Sequence, residues 1–116
     1  EITGGYNNTF SVAQDGSGSH SATVQSFTGA AYSVSINQSG ASNNSFTLTG
    51  SGTNNANSIT ATQSGNAGAD KSFTLNMTST TGATVTVQQT NPNTANSGSM
   101  SIQCSSLCGS YSYIRN

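Results

Sequence analysis

Val34-Ser35-Ile36-Asn37-Gln38-Ser39-Gly40 and, further along, Ile59-Thr60-Ala61-Thr62-Gln63-Ser64-Gly65 are two copies of one phrase. In both, an apolar or small residue alternates with a polar one and the run closes on Gln-Ser-Gly. Period-2 alternation rich in Val, Ile and Thr marks a strand with one buried face, and the terminal glycine marks a turn. An earlier copy, Phe10-Ser11-Val12-Ala13-Gln14-Asp15-Gly16, precedes the first, and a worn one, Val85-Thr86-Val87-Gln88-Gln89, follows the second. Four more alternating phrases stand among them: Ala22-Val24-Ser26, Phe46-Leu48-Gly50, Phe73-Leu75-Met77 and Met100-Ile102-Cys104. The eight phrases begin at Phe10, Ala22, Val34, Phe46, Ile59, Phe73, Val85 and Met100, an almost even step of about a dozen residues. Units this short cannot fold alone, so they must stack and share one core.

Eight short strands also suit a sandwich or a barrel. The near-constant spacing and the recurrence of Gln14, Gln38, Gln63 and Gln89 in alternate phrases favour a coil instead. The expected fold is an all-β β-solenoid with two strands per turn, about four turns and two facing parallel sheets. Within each sheet the strands lie ~4.8 Å apart, with the sheets ~10 Å from each other. One sheet offers Phe10, Val34, Ile59 and Val85, then Val12, Ile36, Ala61 and Val87, then the four glutamines. The facing sheet offers Ala22, Phe46, Phe73 and Met100, then Val24, Leu48, Leu75 and Ile102, with Ser26, Gly50, Met77 and Cys104 third. In the second strand the alternation can also be read one residue out of phase, with Ser21, Thr23, Gln25 and Phe27 inward. Stacked glutamines can bond rung to rung as an amide ladder, which removes the cost of roughly 1–3 kcal/mol for a buried unpaired amide group. Gly16, Gly40 and Gly65 are the expected turn glycines.

Composition narrows the function. Ser, Thr, Asn, Gln and Gly make up roughly two-thirds of the chain, charged residues only 4%, and the formal net charge is −1. With Lys71 and Arg115 the only basic side chains besides His20, a nucleic-acid surface is not expected. No apolar run reaches the ~18–20 residues of a membrane helix. His20 sits in a Gly/Ser turn with Asp15 as a loop neighbour, which is no oriented triad, and no cluster of metal ligands appears. Neither catalysis nor a cofactor is expected. The sequons at Asn7, Asn37, Asn43 and Asn76 are of the kind that chance supplies in an Asn/Ser/Thr-rich chain. The opening Glu1-Ile2-Thr3-Gly4-Gly5 fits a processed secreted chain or a recombinant product. Cys104 and Cys108 can pair locally in an oxidising compartment, pair with a neighbouring subunit, or stay as thiols.

The phrase resembles the curlin repeat of bacterial curli subunits, whose motif reads Ser-x5-Gln-x-Gly-x2-Asn-x-Ala-x3-Gln over two strands. Gln38-x-Gly40-x2-Asn43-x-Ser45 follows its middle, and Gln14-x-Gly16-x2-Ser19-x-Ser21-x3-Gln25 matches with serines substituted. Gln63-x-Gly65 opens a third copy and Gln89-Thr90-Asn91 a degraded fourth. The likeness divides the chain into a short lead, 1–8, a repeat region, 9–104, and a tail, 105–116, without counterpart in the motif. It implies a secreted structural subunit of an extracellular, cell-surface amyloid-type fibre, a homopolymer serving biofilm matrix, adhesion and aggregation. It also implies outer-membrane secretion machinery and a nucleating partner.

The strand termini point the same way. Strands Thr9–Gln14 and Ser99–Gln103 carry neither charge nor proline, so both ends of the coil offer bare edges for head-to-tail growth into a filament. Tyr111, Tyr113 and Ile114 can form one more strand that caps the subunit or lies against the next copy. Two rival functions remain. An ice-binding solenoid would present threonine pairs such as Thr60/Thr62 and Thr84/Thr86, and a phage-fibre stalk would trimerise.

Overall fold

The computed structural model describes residues 9–25, 33–51, 55–78, 81–103 and 109–116. Nine strands are described: β1 Thr9–Asp15, β2 His20–Gln25, β3 Ser33–Gly40, β4 Asn44–Ser51, β5 Asn55–Gly65, β6 Lys71–Thr78, β7 Thr81–Gln89, β8 Asn96–Gln103 and β9 Ser110–Arg115. Odd strands form one sheet in the order β1-β3-β5-β7-β9, even strands the other in the order β2-β4-β6-β8, and every pairing is parallel. The chain is a two-strand-per-turn β-solenoid of four strand pairs plus a ninth strand. It forms a flat slab with extents of 40 × 22 × 15 Å.

The coil holds because each side chain lands on its own kind one rung up. In the odd sheet Phe10, Val34, Ile59, Val85 and Tyr111 share one register column, and Val12, Ile36, Ala61, Val87 and Tyr113 the next. In the even sheet Ala22, Phe46 and Phe73 align, as do Val24, Leu48 and Leu75, which fixes the inward phase of β2. Ser21, Thr23 and Gln25 face outward, and Phe27 lies outside the described residues. The core of Val34, Ile36, Phe46, Leu48, Ile59, Phe73, Leu75, Val85 and Val87 is sealed, each at most 3% exposed. Phe46 and Phe73 stack with ring centroids 6.0 Å apart and planes within 9°.

The turns tighten the stack. Gly40 has φ +92, and a Cβ there would sit 2.4 Å from the carbonyl oxygen of Gly65, so only glycine admits this approach of turn on turn. Gly16 repeats that geometry at φ +108. Gly65 has no positive φ; a Cβ there would meet Ala69 O at 2.9 Å and the Lys71 Nζ at 3.2 Å.

Three expectations are corrected. Met100 does not share the Phe73 column: β8 is set two residues earlier, with Gly98 against Phe73, Met100 against Leu75 and Ile102 against Met77. The cause is Tyr113, whose ring reaches across from β9 to lie 4.8 Å from that of Phe73 and fills the place a side chain at 98 would take. Ile102 is buried and Met100 is half-buried. Second, Val12 is 39% exposed, because β1 is the first described rung and no other described strand pairs with its outer edge. Third, Thr60 aligns with Thr86, whereas Thr84 aligns with Ser58 and Thr62 with Gln88, so the threonine pairs do not superpose. The Phe10 and Ser26 side chains, Cys104 and Cys108 lie outside what is described.

Candidate assembly surfaces at the two ends of the coil

Inside the coil the first polar system is the amide column. Gln14, Gln38, Gln63 and Gln89 are in register on β1, β3, β5 and β7. Gln14 Nε2 donates to Gln38 Oε1 at 2.9 Å, and Gln38 Nε2 donates to Gln63 Oε1 at 2.8 Å. The amides also reach across the core: Gln38, Gln63 and Gln89 donate to the backbone oxygens of Ser21, Ser45 and Ser72 at 3.0, 3.3 and 3.2 Å. These cross-bonds tie the ends of β3, β5 and β7 to the starts of β2, β4 and β6, fixing the sheets in lateral register. Gln89 is fully buried, yet its Oε1 has no partner, so the rung-to-rung bonding runs from Gln14 to Gln63 and stops. Register places Arg115 next in the column, above Gln89, with its side chain exposed.

A second inward polar column heads the even strands: His20, Asn44, Lys71 and Asn96. Asn44 Nδ2 lies 3.1 Å from His20 Nδ1 and donates to Ser39 O at 3.1 Å, while its Oδ1 accepts from Ser42 Oγ at 2.9 Å. Lys71 is 1% exposed, and its Nζ donates to Ala69 O at 2.7 Å and to Thr94 O. Burial pushes its pKa below 10.5, against the opposing field of Asp70. Composition alone marks Lys71 as a surface charge. The signal that finds it is phase: it lies two residues before Phe73, on the inward side of the same alternation. Asp70 does the turn's work outside, accepting from Asn43 N at 2.8 Å, while Asn43 Oδ1 accepts from Ser19 N at 3.0 Å.

The two ends differ. At the start, β1 and β2 are edge strands, with Val12 exposed and Gln14 exposed in a column that continues inward. At the finish, β9 is an edge strand that extends one half-turn beyond β8. Tyr111 and Tyr113 point inward and are half-buried, and Ile114 points outward at 54% exposure. Tyr113 Oη donates to Ser97 O at 3.4 Å, which ties β9 to β8 across the core. The tail residues 110–115 are thus a further rung of the odd sheet rather than a separate appendage.

The outer faces are arrays of hydroxyls. On the odd sheet Thr9, Ser33, Ser58, Thr84 and Ser110 form one column, and Ser11, Ser35, Thr60, Thr86 and Ser112 another. The even sheet carries Ser21, Ser45, Ser72 and Ser97 beside Thr23, Thr47, Thr74 and Ser99. The described residues of these columns carry neither charge nor an apolar side chain, unlike a macromolecular recognition patch. The edges carry the unpaired backbone groups, which makes the ends the candidate sites. Among the described residues no helix is long and apolar enough to cross a membrane. No family model, no curated protein and no solved structure matches this chain.

Proposed function

We propose that this chain is the structural subunit of an extracellular amyloid-type fibre of the curli kind, polymerising head to tail to serve biofilm matrix, surface adhesion and aggregation. The observation that carries the proposal is the state of the two ends: parallel edge strands without proline, whose only charges, Asp15 on β1 and Arg115 on β9, stand at the last residue of each strand, and without any capping element among the described residues. Soluble solenoids cover such edges; here, among the described residues, the core columns end on Val12, 39% exposed, at one end and on half-buried Tyr111 and Tyr113 at the other. A net charge of −1 offers little repulsion between copies. A contact between unlike ends that does not close on itself gives a filament. The role is scaffolding without catalysis, and export machinery and a nucleator belong to the same proposal.

The second reading, an ice-binding solenoid, draws on the two five-deep hydroxyl columns of the odd sheet. Serines interrupt the threonines in both columns, which makes the array less regular than the core beneath it. Purified chain incubated at neutral pH and imaged by negative-stain electron microscopy separates the two. Unbranched filaments growing with time support the fibre; a stable monomer with thermal hysteresis supports ice binding and overturns it.

A further inference from the structure

If copies join end to end, two seatings keep strands parallel and inward faces inward. In the first, the incoming copy is translated along the axis, so that its β1 lies on β9. In the second it is also rotated by half a turn, so that its β1 lies on β8 and its β2 on β9. The half-turn seating pairs both edges, but puts the Gln14 strand on β8, whose inward positions from Gly98 to Ile102 carry no amide or charged side chain to meet it. Translation continues the odd-sheet columns: Phe10 over Tyr111, Val12 over Tyr113 and Gln14 over Arg115 inside, Thr9 over Ser110 and Ser11 over Ser112 outside.

The chemistry of the ends distinguishes the two. The amide column has a direction: each described rung-to-rung bond donates from the earlier rung to the later one. The first rung therefore presents Gln14 Oε1, an acceptor, and the last rung presents the Arg115 guanidinium, which only donates. Charge is split the same way, with exposed Asp15 on the first strand and exposed Arg115 on the last. In the translated seating Asp15 stands one residue from the position above Arg115; in the half-turn seating it faces Gln103. The position that precedes an incoming β1 along the coil is taken by β9 in the half-turn seating. In the translated one it stays open beside β8.

We propose that copies of this chain join by translation, β1 on β9, and that Arg115 is the donor that locks the joint, received by Gln14 Oε1 and Asp15 of the incoming copy. Arg115 then has two jobs. It closes a column that would otherwise end on a buried amide, and it makes like ends incompatible, since acceptor cannot meet acceptor nor guanidinium meet guanidinium. This rests on the fibre reading and is tested separately from it.

The test uses wild-type seeds and full-length monomers, with growth followed by light scattering and each variant's monomer fold checked by circular dichroism. Arg115→Gln keeps an amide donor and is expected to elongate within about threefold of wild type. Arg115→Glu sets a carboxylate against acceptors and is expected to elongate at least tenfold more slowly, about 1.4 kcal/mol or more at the joint. Its own first strand is intact, so it still adds to wild-type ends and then blocks them. Present at a few per cent, it should poison growth of wild-type monomer. Equal elongation by both variants, or no poisoning, overturns the role of Arg115 while leaving the fibre standing. In electron cryomicroscopy the translated joint gives a subunit rise of about 24 Å, five rungs of ~4.8 Å, with no half-turn. A rise of about 21–22 Å with a half-turn per subunit overturns the seating. Wild-type chain that never forms filaments overturns both proposals.

Discussion

Gln38 and Gln89 occupy the same column, are both fully buried, and should respond differently to the same substitution. Gln38 accepts from Gln14 and donates to Gln63 Oε1 at 2.8 Å and to Ser21 O at 3.0 Å. Gln38→Leu keeps the volume roughly constant but strands Gln63 Oε1 in the core, at about 1–3 kcal/mol, and removes the bond that ties β3 to β2, about 1 kcal/mol more. The exposed Gln14 amide turns to water at little cost. The expected loss is about 2–4 kcal/mol. Gln89 makes one bond, to Ser72 O at 3.2 Å, and its own Oε1 is already without a partner. Gln89→Leu loses that bond but also removes the stranded carbonyl, so the two effects offset and the net change should stay within about 1 kcal/mol of zero. Urea denaturation of freshly prepared monomer at low concentration, with the slope held common, measures both. Equal losses for the two variants would refute the claim that bonding along the column, rather than burial of a glutamine, stabilises the coil.

Other expectations follow from single positions. Gly40→Ala should destabilise by more than about 2 kcal/mol, because a positive φ and a backbone oxygen 2.4 Å away leave no route of relief. Gly68→Ala, with φ +82 but open space around it, should cost only about 1 kcal/mol, and the pair is compared by thermal unfolding. Gly98→Val should displace the Tyr113 ring and release β9, seen as faster hydrogen exchange at 110–115 with β5 and β6 still protected; unchanged exchange there would contradict the account of Tyr113. Lys71 gives a pH signature. Below its lowered native pKa both states hold the proton and the burial penalty is at full strength. Between that value and 10.5 only the unfolded chain holds it, so stability rises with pH across that window. Relative to Lys71→Met, which has no proton to lose, the wild type should gain stability as pH climbs towards 10.5; parallel profiles would contradict it.

What the sequence discloses depends on whether a position speaks through its side chain. The column of Gln14, Gln38, Gln63 and Gln89 is legible because four identical residues recur in alternate phrases at nearly even spacing, and that fixes the parallel stacking of the odd strands. The even strands are legible where two aromatics or two leucines match, as at Phe46/Phe73 and Leu48/Leu75. Reading by residue type misplaces β8 by two positions because its first inward core position is Gly98, which has no side chain to announce it. The ring that takes its place comes from Tyr113, in the other sheet and on the strand that follows. Lys71 escapes such a reading because charge outweighs phase whenever residues are sorted by type. Its burial needs two carbonyl acceptors that only the closed turns bring together. The direction of the amide column, and hence the unlike chemistry of the two ends, is a property of hydrogen-bond geometry that residue identity does not contain.

X-ray diffraction from aligned filaments tests the central claim most directly. Rungs that stack within and between copies should give a sharp meridional reflection at about 4.8 Å and a broader equatorial one near 10 Å, from strands across the axis and sheets packed face to face. A chain that stays monomeric at high concentration, or filaments whose ~4.8 Å reflection lies off the meridian, would contradict it.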